Sequence, residues 1–109
     1  MRYCLALDLK DDPKAISEYE HWHRKVWPEV LSSIRDSGIT SMEIYRAGNR
    51  LMMIMETVAE FSFDEKRIAD ESNPKVQEWE TLMWNYQQAL PFARPGEKWV
   101  VMEKIFSFS

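Results

Sequence analysis

One histidine in this chain stands where proton chemistry could be done. The stretch Tyr19-Glu20-His21-Trp22-His23-Arg24-Lys25-Val26-Trp27-Pro28 carries both histidines of the protein. Residues four apart share a face of an α-helix, so Tyr19 and His23 stack one above the other. Trp27 extends the stripe, although Pro28 alters its local geometry. His21 points the other way. An imidazole between aromatic rings is a candidate general acid/base in an aromatic pocket. A Tyr-His-Trp stripe at this spacing also fits a plain core-facing helix, because periodicity reports burial before chemistry. His21 and His23 match neither the i,i+4 pair nor the cysteine-rich pattern of a zinc site, so no metal is expected.

The elements that must hold this stretch can be read in order. Residues 2–9 alternate, with Tyr3, Leu5, Leu7 and Leu9 on one face, as a strand does. Asp12 is a helix N-cap and Pro13 suits the first helical position, so a helix is predicted from Pro13 to about Arg24. Pro28 opens a second helical piece that runs to Ser37, with Gly38 as a left-handed cap. Thr40–Ala47 and Arg50–Val58 read as a hairpin around Gly48-Asn49. Phe61–Ser72 holds a short helix. Asn73-Pro74 starts a longer one, with Val76, Trp79, Met83, Tyr86 and Leu90 on one side and Glu78, Glu80, Gln87 and Gln88 on others. After a Pro- and Gly-containing loop, Lys98–Phe108 reads as a last strand.

This order is β-α-β-β-α-β, an α+β fold of the ferredoxin-like split-βαβ type, with a four-stranded antiparallel sheet and helices on one face. A chain of 109 residues is one domain, residues 1–109. Leu51-Met52-Met53-Ile54-Met55 is apolar on both faces, so both sides of the sheet need cover. The helices cover one; a second copy of the chain is expected on the other, giving a homodimer joined sheet to sheet.

Composition narrows the partners. With 45% hydrophobic residues the chain can build its own core, and the net charge is -4. It has no basic run and no basic-aromatic alternation, which argues against nucleic acid. No stretch approaches a membrane span, and the N-terminal apolar run is too short for a signal peptide. Cys4, the only cysteine, reads as a small strand residue rather than a nucleophile, and a reducing, cytoplasmic setting is expected.

The pattern Tyr19-x3-His23-x3-Trp27-Pro28-Glu29 resembles the L-rhamnose mutarotase family. The resemblance runs over nearly the whole chain, through Ser37-Gly38, Ile44-Tyr45, Gln77 and Trp79 to Ile105-Phe106. It implies dimeric ferredoxin-like subunits that form a dimeric α/β barrel. It also implies exchange between the α and β anomers of a 6-deoxyhexose without metal or cofactor. By the same resemblance His23 is the proton donor and Tyr19 binds the sugar. Two positions depart from family members acting on rhamnose: Met42 stands where they have a tyrosine, and Trp79-Glu80 where they have a Trp-Trp pair. The chain thus looks like the branch associated with L-fucose, with Tyr19, Met42, Trp79 and Glu80 as sugar-binding positions.

The chemistry of anomer exchange suits such residues. It needs one proton removed from the anomeric hydroxyl and one delivered to the ring oxygen, which a histidine near neutral pKa can manage. Aromatic rings stack on sugar C–H faces while polar groups meet the hydroxyls. Two other readings share this fold: a small dimeric monooxygenase or haem-degrading enzyme, and a non-catalytic sugar-binding dimer.

Overall fold

The computed structural model describes residues 1–109. The elements are β1 (Arg2–Leu9), α1 (Pro13–Trp22), α2 (Pro28–Asp36), β2 (Ile39–Ala47), β3 (Arg50–Thr57), α3 (Phe63–Glu71), α4 (Pro74–Trp84), β4 (Gln87–Gln88) and β5 (Val100–Val101). Local chemistry sets most of the boundaries. Asp12 accepts from the Lys14 amide and Ser62 from the Glu65 amide; Asn73 accepts from the amides of Lys75 and Val76. Each cap satisfies donors that the first helical turn leaves free. Pro13, Pro28 and Pro74 open α1, α2 and α4, where a missing N–H costs nothing. Gly38 ends the α1–α2 segment at φ +97°, and a Cβ there would meet Val58 Cγ2 at 2.8 Å. Only glycine fits that corner without strain.

The antiparallel sheet has the order β2-β3-β1-β4, and β5 also pairs with β1. β4 and β5 lie in line along one edge of β1: Gln87 and Gln88 face Leu9 and Asp8, while Val100 and Val101 face Ala6 and Leu5. The fourth strand position is therefore filled by two fragments, and residues 89–99 loop out between them. Pro91 and Pro95 in this excursion have no N–H to give a ladder. Two tight turns shape it, Ala93 N donating to Leu90 O at 3.0 Å and Glu97 N to Arg94 O at 2.9 Å.

Three expectations are corrected here. α1 ends at Trp22, with His23 as its C-cap. The helix expected to continue to Leu90 stops at Trp84, so Gln87 belongs to a strand and is buried. The expected strand Lys98–Phe108 pairs only at Val100–Val101, extended by Met102 N donating to Cys4 O at 2.7 Å. Beyond Cys4, β1 has only Arg2 and Tyr3 left, so the tail runs out of partner. Ile105, Phe106 and Phe108 end up fully or largely exposed.

The helices pack on the face of the sheet carrying Leu5, Leu7, Leu9, Leu51, Met53 and Met55, all buried. Leu9 and Leu51 join Tyr19, Val30, Trp79 and Met83 in one core cluster; Leu5, Met53 and Met55 join Ile39 in another. The opposite face presents Cys4 beside Ile54 and Ala6 beside Met52, with Tyr45 across from Met52. No helix is long and apolar enough to cross a membrane.

Candidate active site

α1 delivers Tyr19 and His23 one helical turn apart, and their ring centroids lie 4.3 Å apart. His23 Nδ1 is 2.9 Å from the carbonyl oxygen of Tyr19. A carbonyl only accepts, so Nδ1 carries the proton and the neutral ring keeps Nε2 as its acceptor. α4 brings Trp79 edge-on to His23, with centroids 5.5 Å apart, and edge-on to Trp27 at 5.2 Å. Trp27 precedes α2 and has left the α1 stripe, yet it still reaches the same hub. His21 is exposed on the other side of α1, which separates it from His23.

Tyr19, His23 and Trp79 border a cleft of about 810 Å³ between the helices and the sheet. Tyr19, His23, Met42, Trp79 and Glu80 all line it. They are not equivalent. Tyr19 and Trp79 are core residues, 4% and 7% exposed, and show the cleft little more than an edge. His23, Met42 and Glu80 are half-buried. Met42 packs against the Leu5–Met55 cluster, whereas Tyr19 and Trp79 belong to the Leu9–Met83 cluster.

The excursion 89–99 supplies what the sequence reading missed. Lys98 and Trp99 return from it into the cleft wall, both half-buried. Trp99 touches both core clusters. Gln87 lines the cleft beside Tyr19, and its Oε1 is buried without a hydrogen-bond partner. Pro91, Pro95 and Gly96 signalled a loop here, but nothing local signalled that both of its ends pair with β1.

Burial sets the electrostatics. It pushes the Tyr19 hydroxyl up to about 12, against the opposing effect of the Gln87 amide alongside it. The phenol therefore stays protonated near neutral pH. Burial lowers His23 below the usual imidazole value, partly offset by its bond to Tyr19 O. Desolvation disfavours the charged ring, so His23 rests neutral at pH 7. Glu80 is raised, first by burial and then by Asp70, with Lys98, Lys66 and Gln77 opposing. Lys98 is lowered by burial, against the pull of Glu80.

Comparison with known proteins bears on the family and the fold. Residues 2–108 match the family model described as L-rhamnose mutarotase. The chain is 46% identical over 110 residues to an L-fucose mutarotase of Xanthomonas campestris pv. campestris, covering 99% of this chain and 88% of that protein. Its fold matches the crystal structure of an L-rhamnose mutarotase from Formosa agariphila with a TM-score of 0.72 at 19% identity, over 100% of this chain and 99% of the other. It also matches a dimeric ferredoxin-like protein from an uncultured marine organism, with a TM-score of 0.53 at 14% identity over 99% and 91% of the two chains. The ferredoxin-like α+β fold stands, and between the readings that share it an isomerase is selected over an oxygenase. The chain belongs to the L-rhamnose mutarotase family and is a sugar mutarotase.

Proposed function

We propose that this protein interconverts the α and β anomers of a 6-deoxyhexose, L-fucose in preference to L-rhamnose, through acid/base ring opening at His23. The observation that carries the mechanism is the bond between His23 Nδ1 and Tyr19 O. It holds one tautomer and leaves a basic nitrogen for the cleft. Neutral Nε2 takes the proton of the anomeric hydroxyl as the bond between C1 and the ring oxygen breaks. The imidazolium so formed gives a proton to the ring oxygen. Rotation about C1–C2 and the reverse steps close the other anomer, and no proton is gained or lost overall. The uncatalysed opening is already facile, and general acid–base catalysis supplies about 10²–10⁴-fold.

The preference for L-fucose is supported by Met42 and Glu80, which stand where an aromatic pair is expected for rhamnose, and by the 46% identity to a protein named L-fucose mutarotase. With Tyr19 and Trp79 nearly enclosed, Trp99 offers the broader aromatic surface to a sugar C–H face. A homodimer through the open sheet face completes the reading. Cys4, Ala6, Met52 and Ile54 form its apolar centre, and the exposed Ile105, Phe106 and Phe108 add apolar surface for a second copy to cover.

Exchange NMR on L-fucose and L-rhamnose side by side tests this. Cross-peaks between α and β signals should build up faster with protein than in buffer, and faster for L-fucose. No acceleration with either sugar overturns the mutarotase mechanism. Equal or reversed rates remove the L-fucose preference alone.

A further inference from the structure

The cleft is apolar through most of its lining and, apart from the exposed Arg35 of α2, its charged side chains gather at one end. There α3 brings Lys66 and Asp70, α4 brings Glu80, and the excursion brings Lys98. The same four side chains also line a smaller outer pocket of about 400 Å³, so they form the wall between the cleft and the surface. Lys66 and Asp70 satisfy one another at 2.8 Å. Glu80 and Lys98 do not form such a pair. The ammonium of Lys98 donates to the backbone carbonyl of Glu80 at 3.3 Å. The Glu80 carboxylate receives only a long contact of 3.4 Å from Gln77 Nε2.

This leaves an ammonium and a carboxylate on one wall, each half-buried and each with hydrogen-bonding capacity to spare. Lys98 is held in place, since its Nζ lies 5.0 Å from the ring centroid of Trp84. Burial acts against the charged form of both groups. Half-buried charged groups with hydrogen-bonding capacity left over favour a ligand that supplies the missing hydrogen bonds. A polyol does so without adding charge: one hydroxyl accepts from the ammonium while another donates to the carboxylate. Trp99, the next residue, places a ring in the same cleft.

We propose that Lys98, together with Glu80, is a specificity-determining pair that holds hydroxyls of the sugar at the charged end of the cleft, with Lys98 as donor and Glu80 as acceptor. This rests on the mutarotase reading above. It adds to that reading a residue carried by the excursion rather than by α1 or α4.

The test uses the full-length protein, exchange NMR for rate and saturation-transfer NMR for binding, with L-fucose and its monodeoxy analogues. Lys98→Met should raise KM for L-fucose about tenfold while the saturated exchange rate stays within about threefold. Lys98→Arg, which keeps a donor, should recover much of the loss. With the one analogue lacking the hydroxyl that Lys98 holds, wild type and Lys98→Met should have the same KM, because the lost bond is then absent from both. An unchanged KM for L-fucose overturns the proposal. So does a tenfold loss that is identical for every analogue, since a merely structural role has that signature. Should Lys98→Met not fold by thermal melt, Lys98→Leu, which also lacks a donor, replaces it with the same expected pattern. A wild type that binds sugar without exchanging anomers sinks the mutarotase reading alone, and the Kd values from saturation transfer then decide on Lys98 by the same comparison. A wild type that neither binds nor exchanges any of these sugars overturns both.

Discussion

His23 Nδ1 lies 2.9 Å from the carbonyl oxygen of Tyr19, four residues earlier in the same helical turn. The residue thus borrows its orientation from the backbone that produced it. No carboxylate is needed to hold the ring, and burial keeps it neutral at rest. His23→Ala is expected to lower the exchange rate on the order of 10²-fold or more. His21→Ala, on the exposed side of α1, should leave it near wild type. Thermal melts and mass by light scattering must first show both variants folded and assembled alike. A folded His23→Ala that exchanges anomers at the wild-type rate would falsify the proposed proton transfer.

The pH dependence follows from the direction of the His23 shift. Because the neutral ring is the resting base, the rate should fall as pH drops through a midpoint below the ordinary histidine value of about 6.5. That limb should vanish in His23→Ala. Stability carries the same sign. The folded-state value is depressed, so above about pH 6.5 the ring is neutral in both states and contributes no slope. Below that the unfolded chain binds the proton more readily, and stability is lost until pH passes the folded midpoint. Urea melts of wild type and His23→Ala between pH 5 and 8 would check it; equal slopes in the two proteins would rule it out.

Substrate choice can be pressed at the two departures from the rhamnose pattern. Glu80→Trp combined with Met42→Tyr is expected to move the ratio of exchange rates toward L-rhamnose. Met42 packs against Met53 and Met55 through their shared cluster, so the added ring must displace methionine side chains, which adapt readily. Melting temperature separates a misfit core from a changed preference. A well-folded double variant with an unchanged ratio counts against these positions as readers of the sugar.

The two faces of β3 make different demands. Met53 faces the helices and is buried, while Ile54 faces away beside Cys4. Met53→Asp places a charge in the core and should cost roughly 4 kcal/mol or more. Ile54→Asp should leave the subunit folded and dissociate the proposed dimer. Light scattering at micromolar concentration reads the second outcome directly. A wild type that is monomeric there removes the dimer from the account.

Much of this was legible in local chemistry. Asp12-Pro13, Pro28, Gly38, Gly48-Asn49 and Asn73-Pro74 set element ends through caps, missing donors and a left-handed backbone, all of which act over a few residues. The i,i+4 spacing was enough to put Tyr19 and His23 together, because one helical turn needs nothing beyond itself. The apolar run Leu51–Met55 marked a strand with apolar residues on both faces, of which the structure buries Leu51, Met53 and Met55 under the helices. What stayed hidden depends on distant partners. Gln87 read as a polar helical position and Lys98 as the start of a strand; both reach the cleft because β1 accepts two fragments on one edge with an excursion between them. The tail Met102–Ser109 reads as a strand by alternation, yet strand pairing needs a neighbour, and β1 ends at Arg2. Tyr19 and Trp79 had the right types to offer ring faces, but packing decided how much surface they keep. The sequence alone determined the order of elements as far as α4 and the turn that stacks Tyr19 on His23. Only the tertiary structure decided which side chains wall the cleft, because that depends on the register against β1 and on how α4 packs against α2 and α3.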